Sequence, residues 1–354
     1  MIALVVQPSQ ESYTHHTMKL FPAGKLPPRI LQGLLATCEV SKGSRVVVGP
    51  RFGEDAAVID LGAKYLVAKT DPITFTSERI GWYAVNINAN DVATLGARPL
   101  WFLATLLLPE KATSLSLVRS VFGDTLRACK QLGVTLCGGH TEITRGLDRP
   151  IMVGQMLGEV AKSKLVRKES QRPGDLVLLT RGIAIEGTGI LAREKGLALA
   201  RKLPRKTLRR ARRLLFHPGI SVVQDAMLAQ RHGEIHAMHD PTEGGLASGL
   251  YELAKAGSVG LRIWKDMVPI LEETRSFSKI LGFDPFGLIA SGALLVVASA
   301  DSTPNLLRAY LRHGVRAAVI GEVREARDGI QVVQKGRQSP LRVPARDEIA
   351  RLLE

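Results

Sequence analysis

The stretch Ala84-Val-Asn-Ile-Asn-Ala-Asn-Asp-Val-Ala-Thr-Leu-Gly-Ala-Arg-Pro99 narrows the possible folds more than any other part of this chain. It reads as an apolar, small-residue helix stopped at Gly96, yet it carries Asn86, Asn88, Asn90 and Asp91. Inside a helix each Asn or Asp costs roughly 0.5 kcal/mol or more against Ala, because the side chain competes for nearby backbone groups. Something must compensate. Asn86 and Asn90 share a face at i, i+4, and a carboxylate beside them can coordinate a hard cation such as magnesium through oxygen. A buried polar network is the alternative.

Around this segment, short β-branched runs at Val46–Val48, Ala56–Ile59, Tyr65–Lys69, Val134–Cys137 and Ile151–Met156 alternate with helical stretches at Gly81–Gly96 and Ser114–Leu132. That pattern describes an α/β domain over residues 45–160. Before it, Pro22, Pro27 and Pro28 break the chain ahead of a helical stretch at Ile30–Cys38, so residues 1–44 read as a loosely docked arm. The turn cluster Gln171-Arg-Pro-Gly-Asp175 precedes a new buried strand at Leu176–Thr180, which places a domain boundary at 161–175. A second α/β domain follows over 161–340, with helices at Gly187–Glu194, Ile220–Arg231 and Gly244–Ala256. Its strands fall at Glu234–His239, Gly260–Trp264, Ala293–Ser299 and Ala317–Val323.

With 354 residues, 45% of them hydrophobic, the chain is long enough for two cores. Its longest apolar runs, Leu100–Leu108 and Ile289–Ala300, are too short to span a membrane, and the N-terminus lacks a basic-then-apolar signal pattern. A cytoplasmic location with no membrane partner is expected. Cys38, Cys129 and Cys137 have neither CxxC spacing nor paired histidines, which excludes a zinc or disulfide framework and suggests buried or half-buried thiols. The formal charge of +15 is concentrated at Arg201–Arg213, where eight Lys/Arg stand without an acid. No aromatic residue falls in that run, so it reads as a solvated basic helix or loop, and nucleic acid is not an expected partner.

Several acidic and glycine motifs have spacing suited to chemistry. Phe52-Gly-Glu-Asp-Ala-Ala-Val-Ile59 puts Glu54 and Asp55 at a glycine turn before a small-residue strand, where an ordinary capped turn is the structural alternative. Asp71, in Thr70-Asp71-Pro72, reads as the C-terminal end of a strand that the proline stops; an Asx turn explains it equally well. Gly138-Gly-His-Thr-Glu142 reads as a glycine turn after a strand, with His140, Thr141 and Glu142 in reach of a phosphate or metal. His239-Asp-Pro-Thr-Glu-Gly-Gly-Leu246 presents Asp240 at a strand end and Gly244 near a helix N-terminus suited to anions. Glu186-Gly-Thr-Gly189 reads as a plain helix cap. Neither a Walker loop, nor a strand-linked GxGxxG, nor a GxSxG elbow occurs.

In this order, GEDAAVI, TD, NANDVATLGARP, GGHTE, PGD and HDPTEGGL resemble the superfamily of aminoimidazole ribonucleotide synthetase, thiamine-monophosphate kinase, selenophosphate synthetase and the hydrogenase maturation factor HypE. The likeness runs from about Gly49 to about Val323 and is nearest to HypE-like proteins. It implies a two-domain PurM-like fold whose N-terminal domain forms a β-barrel with a second subunit, hence a homodimer, with ATP in the cleft against the C-terminal α/β domain. Carried over by position, Asp55, Asp71, Asp91 and Asp240 would hold magnesium. Asp91, Asp240 and His140 would serve the chemistry, and Gly53, Glu54, Asn90, Gly138, Gly139, Thr141, Glu142 and Gly244 would contact the nucleotide.

The implied activity is Mg-dependent phosphoryl transfer from ATP to an oxygen, in amide activation or dehydration, on a small-molecule or protein-borne amide, with a maturation protein as partner. A thiamine-monophosphate kinase-like enzyme and a nucleotide-binding maturation scaffold with little turnover are the alternatives. HypE proteins end in a reactive cysteine, whereas no cysteine follows Cys137 here, so a HypE-like paralogue without that cysteine is expected. His140 stands where kinase and HypE relatives usually carry Asp, and Cys38 lacks the glycine-rich setting of the selenophosphate synthetase nucleophile.

Overall fold

The computed structural model describes residues 24–354 apart from Phe75. Pro22 and the rest of the arm up to residue 23 lie outside the described residues. Helix α1 (Pro28–Leu35) precedes a mixed sheet built from β1 (Val46–Val48), β2 (Ala57–Asp60), β3 (Lys64–Ile73), β4 (Arg98–Pro109), β5 (Thr135–Thr144) and β6 (Ile151–Ala161) in the order β1-β2-β3-β6-β4-β5. Neighbours are antiparallel except β4 and β5. Helix α2 (Ile80–Thr94) lies across β3, β6 and β4, with α3 (Leu115–Leu132) beside it.

Three expectations for this sheet need correction. Strand β3 does not stop at the proline: it runs on to Ile73, with Asp71 opposite Gly154 and Pro72 opposite Val153. Pairing with β2 has already ended at Ala68, so at Pro72 the strand has a free edge, which is where a missing N–H is tolerated. Residues 138–142 form no glycine turn either. They continue β5 alongside β4, and a Cβ on Gly139 (φ +148°) would meet the Ala104 carbonyl oxygen, so this glycine serves close strand approach. Leu100–Leu108, considered above only as a membrane span, is the body of β4. No helix among the described residues is long and apolar enough to cross a membrane.

The second sheet orders seven strands as β13-β12-β9-β11-β7-β10-β8 among the described residues. Its elements are β7 (Leu176–Thr180), α4 (Ile185–Glu194), α5 (Gly196–Leu199), α6 (Arg205–Arg213), α7 (Val223–His232), β8 (Ile235–His239), α8 (Gly245–Gly257), β9 (Gly260–Trp264) and α9 (Glu272–Leu281). Then come β10 (Leu295–Ala298), α10 (Thr303–Arg312), β11 (Ala317–Arg324), β12 (Ile330–Gln334), β13 (Arg337–Pro340) and α11 (Glu348–Leu353). The continuous apolar runs of β7 and β10 follow from burial on both faces. Val177, Leu179, Leu295 and Val297 pack under α8, while Leu178, Val296 and Ala298 pack under α7 and α10.

The basic run Arg201–Arg213 supplies α6. Leu208 and Ala211 are buried, Arg210 pairs with Glu272 and Glu273, and Arg212 Nε donates to the Ala192 carbonyl (3.0 Å). Of the cysteines only Cys129 is buried; Cys38 and Cys137 are exposed, contrary to expectation, because Cys38 follows a helix with no buried residue and Cys137 lies on edge strand β5.

All residues of α2 are buried, and its asparagines divide the compensating work. The side-chain amides of Asn86 and Asn88 donate to the carbonyls one turn back, Trp82 (2.8 Å) and Ala84 (2.9 Å). Asn90 crosses to the segment before α7, donating to the Ile220 carbonyl (2.9 Å) and accepting from the Val222 N–H (2.8 Å). One apolar core continues from the first sheet through α2 into α4, α6 and Phe277 of α9, so helices of the second body pack into the interior of the first.

Candidate active site at the junction of the two sheets

A cleft of ≈ 860 Å³ opens where β3 and α2 meet the end of β8 and the start of α8. Gly53, Glu54, Asp55, Asp71, Asp91, Asp240 and Gly244 all line it, so the expected residues from four separated motifs are gathered. Glu54 is ion-paired with Arg51 (2.9 Å) at its edge. The N–H of Gly244, in the left-handed conformation at the start of α8, donates to Asp347.

His140, Gly138, Gly139 and Thr141 are not part of this assembly. They line a separate hollow of ≈ 330 Å³ between β5 and α3. His140 Nε2 lies 3.0 Å from Glu142 Oε2, and the Thr144 hydroxyl donates to the other oxygen of that carboxylate. In a single chain this segment faces solvent along the outer edge of the sheet.

The acidic residues form two sets with different chemistry. In the first, both oxygens of Asp55 are engaged. Oδ2 accepts from Lys168 Nζ (2.8 Å) and the Thr94 hydroxyl (3.0 Å), and Oδ1 lies 2.9 Å from His239 Nδ1. The second ring nitrogen of His239 lies 3.0 Å from Glu252 Oε2. Burial opposes ionisation of Asp55, but His239 and Lys168 hold its carboxyl well below the usual range. Burial likewise works against charge on His239, and Asp55 raises it.

In the second set Lys69 Nζ bridges Asp91 Oδ2 (3.1 Å) and Asp71 Oδ2 (3.3 Å). Asp240 is 1% exposed, and among the described residues neither of its carboxylate oxygens has a hydrogen-bond partner; Asp91 Oδ2 is buried against the Lys69 ammonium. Burial, then repulsion from Asp91 and Asp55, raises Asp240 well above the ordinary carboxylate value. Burial also raises Asp91 against the pull of Lys69. Buried carboxylate oxygens without donors suit a cation, and oxygen-only donors suit a hard one such as magnesium. Asp240 meets that test, and Asp55 and His239 offer ligand atoms within 4.8 Å of it and of one another; Asp71 and Asp91 already hold Lys69.

Sequence reasoning missed Lys69, Lys168, His239, Glu252, Asp347 and Glu186. His239 and Lys69 stand beside or near singled-out aspartates, and that adjacency was the available signal. Lys168 looked like one more charge in a basic connecting stretch. Glu186, read as a cap, is instead buried in the first turn of α4, where one carboxylate oxygen lacks a partner. Burial pushes that carboxyl up to about 7.

Two α/β bodies meet at this lysine-bridged acidic cleft, the two-domain arrangement that the motif order implied. The chain belongs to the AIR synthase related family: residues 53–160 match its N-terminal domain and residues 172–333 its C-terminal domain. It is 30% identical to the carbamoyl dehydratase HypE of Azotobacter vinelandii over 279 residues, 76% of this chain and 78% of that protein. A hydrogenase maturation protein HypE solved in complex with ATP superposes with a TM-score of 0.69 at 25% identity, covering 84% of this chain and 90% of the other. A HypE solved in a HypE–HypF complex gives 0.68 at 24% identity, covering 82% and 93%.

Proposed function

We propose that this protein is an ATP- and magnesium-dependent enzyme that transfers a phosphoryl group to the oxygen of an amide, activating or dehydrating it. The observation that carries this reading is the buried Asp240 carboxylate, without a hydrogen-bond donor among the described residues, at the floor of the cleft beside Asp55 and Asp91. Asp55, Asp71, Asp91 and Asp240 would hold the metal, which would neutralise charge building on the phosphoryl group. Lys69 fixes the orientation of Asp71 and Asp91 and adds a positive charge to the same wall. Gly53 (φ +84°) and Gly244 (φ +80°) line the cleft in the left-handed conformation, where a Cβ would meet α8. The HypE relative's name, carbamoyl dehydratase, and the ATP complex of another HypE support both the nucleotide and the amide.

Two further elements belong to this reading. Strand β5 is an exposed edge carrying Ile143, with exposed Phe122 and Leu126 on the neighbouring α3. We propose that a second copy covers this face, in a homodimer, and that the 138–142 segment serves a site only in that assembly. The HypE–HypF complex supports a maturation protein as a further partner. Residues 45–160 and 161–340 are taken as the two domains.

Replacing Asp91 tests the proposal directly. Asp91→Asn should abolish magnesium-dependent ATP turnover while the far-UV spectrum and unfolding transition stay cooperative. Wild-type turnover in that variant would remove Asp91 from the site.

A further inference from the structure

Helix α6 carries a charge distribution that works against its own formation. Arg205 and Lys206 stand in its first turn, which holds no acidic residue, so both oppose the helix dipole. Arg205, Arg209 and Arg213 follow at i, i+4 and i+8, a row on one face with the side chains about 6 Å apart along the axis, where like charges repel. Arg201, Lys202 and Lys206 are exposed together with that row, and no carboxylate among the described residues pairs with any of the six.

The helix is nevertheless firmly seated. Leu208 and Ala211 are buried beneath it, and Arg210 is held by Glu272 and Glu273 of α9. Arg212 Nε donates to the Ala192 carbonyl of α4, and Arg193 of α4 donates back to the Arg212 carbonyl. Short helix α5 lies alongside: a Cβ on its first residue, Gly196, would meet the Arg212 guanidinium. The next residue, Leu197, is 90% exposed, more than any other large apolar side chain among the described residues. A nucleic-acid strand would stack its bases on aromatic side chains, and residues 196–213 contain none. A leucine gains only from an apolar contact, and arginine is enriched at protein interfaces, so the combination suits a protein partner.

We propose that the α5–α6 surface docks an acidic helical segment of a partner protein, with carboxylates at the spacing of Arg205, Arg209 and Arg213 and an apolar side chain over Leu197. Each guanidinium fork meets a carboxylate with two N–H bonds at once, and the partner's charges remove the repulsion along the row. None of these residues lines the acidic cleft, so the surface does not depend on how the cleft is read.

The test uses the full chain and a fluorescein-labelled helical peptide with glutamates at i, i+4 and i+8 and one terminal leucine, followed by anisotropy at physiological ionic strength. A labelled RNA duplex stands for the other class of polyanion. The wild type should bind the peptide at micromolar concentration and more tightly than the duplex. Leu197→Ser, or a peptide whose leucine is replaced by serine, should weaken binding roughly tenfold. Replacing Arg205, Arg209 and Arg213 together by lysine keeps the charge but loses the forks, and should weaken it at least threefold. Replacing the three by alanine should weaken it more than tenfold and raise the unfolding temperature of the free protein, because the repulsion along the row is gone. No peptide binding, binding indifferent to Leu197→Ser, or a triple-alanine variant less stable than the wild type overturns the proposal. Tighter binding of the duplex, falling steeply with salt, overturns it in favour of nucleic acid.

Discussion

Asn90 grips the backbone on both sides of Ser221: its amide donates to the Ile220 carbonyl at 2.9 Å and its oxygen accepts from the Val222 N–H at 2.8 Å. All three residues bracketing this contact are buried, and the bond pair joins α2 to the second body immediately beside Asp91. Asn90→Ala leaves a buried carbonyl and a buried N–H unpaired, at about 1–3 kcal/mol each. The variant should therefore lose about 2–6 kcal/mol in chemical denaturation. A loss below the scatter of surface substitutions would mean that water replaces the side chain.

Asp240 shows how a binding group works against stability. It is buried without donors and repelled by Asp91, so Asp240→Asn should raise the metal-free unfolding temperature, by roughly 1–2 kcal/mol in stability terms. The same variant should lose the stabilisation that Mg-ATP gives the wild type. Destabilisation of the metal-free variant would show that Asp240 has a structural partner in solution.

Glu186 gives a pH signature. Burial raises its folded-state value from 4.5 to about 7, so the folded chain holds this proton more tightly than the unfolded chain does. Its favourable contribution is complete below pH 4.5 and is lost as the pH rises through 7. Glu186→Gln lacks that loss, and its stability relative to the wild type should grow between pH 5 and pH 8, by roughly 3 kcal/mol at most. Parallel pH profiles for the two proteins would contradict this.

The outer edge of β5 should hold two copies together. Ile143, 61% exposed, is a large apolar side chain on an unpaired strand edge. Ile143→Glu should convert a dimeric mass in light scattering to a monomeric one without a change in secondary structure. A wild-type monomer, or an unaffected dimer, would place the contact elsewhere.

Much of this architecture was readable because the signals were local. Helix α2 announced itself by its apolar, small-residue run and its Gly96 stop, and β7 and α8 by turn residues at their starts. What the sequence concealed depended on neighbours distant along the chain. Pro72 sits inside β3 because β2 pairing has already ended there, and Gly138–Gly139 extend β5 because β4 comes too close for side chains. The acidic motifs come together in one cleft, yet nothing in the sequence distinguished Asp55, neutralised from a connecting segment more than 100 residues away, from Asp240, left without a donor among the described residues. His140 and Thr141 carried a recognisable motif that the fold places outside this cleft, in the hollow between β5 and α3.

The most direct test of the central claim is thermal unfolding of the purified protein with Mg-ATP, against ATP without magnesium, magnesium alone, ADP and GTP. A ligand present at 100 times its dissociation constant adds roughly 2.7 kcal/mol, enough for a clear shift in the transition. Stabilisation by ATP that requires magnesium, and that is lost in Asp91→Asn, is the predicted result. An unchanged transition at millimolar Mg-ATP would contradict the reading of the cleft as a nucleotide site.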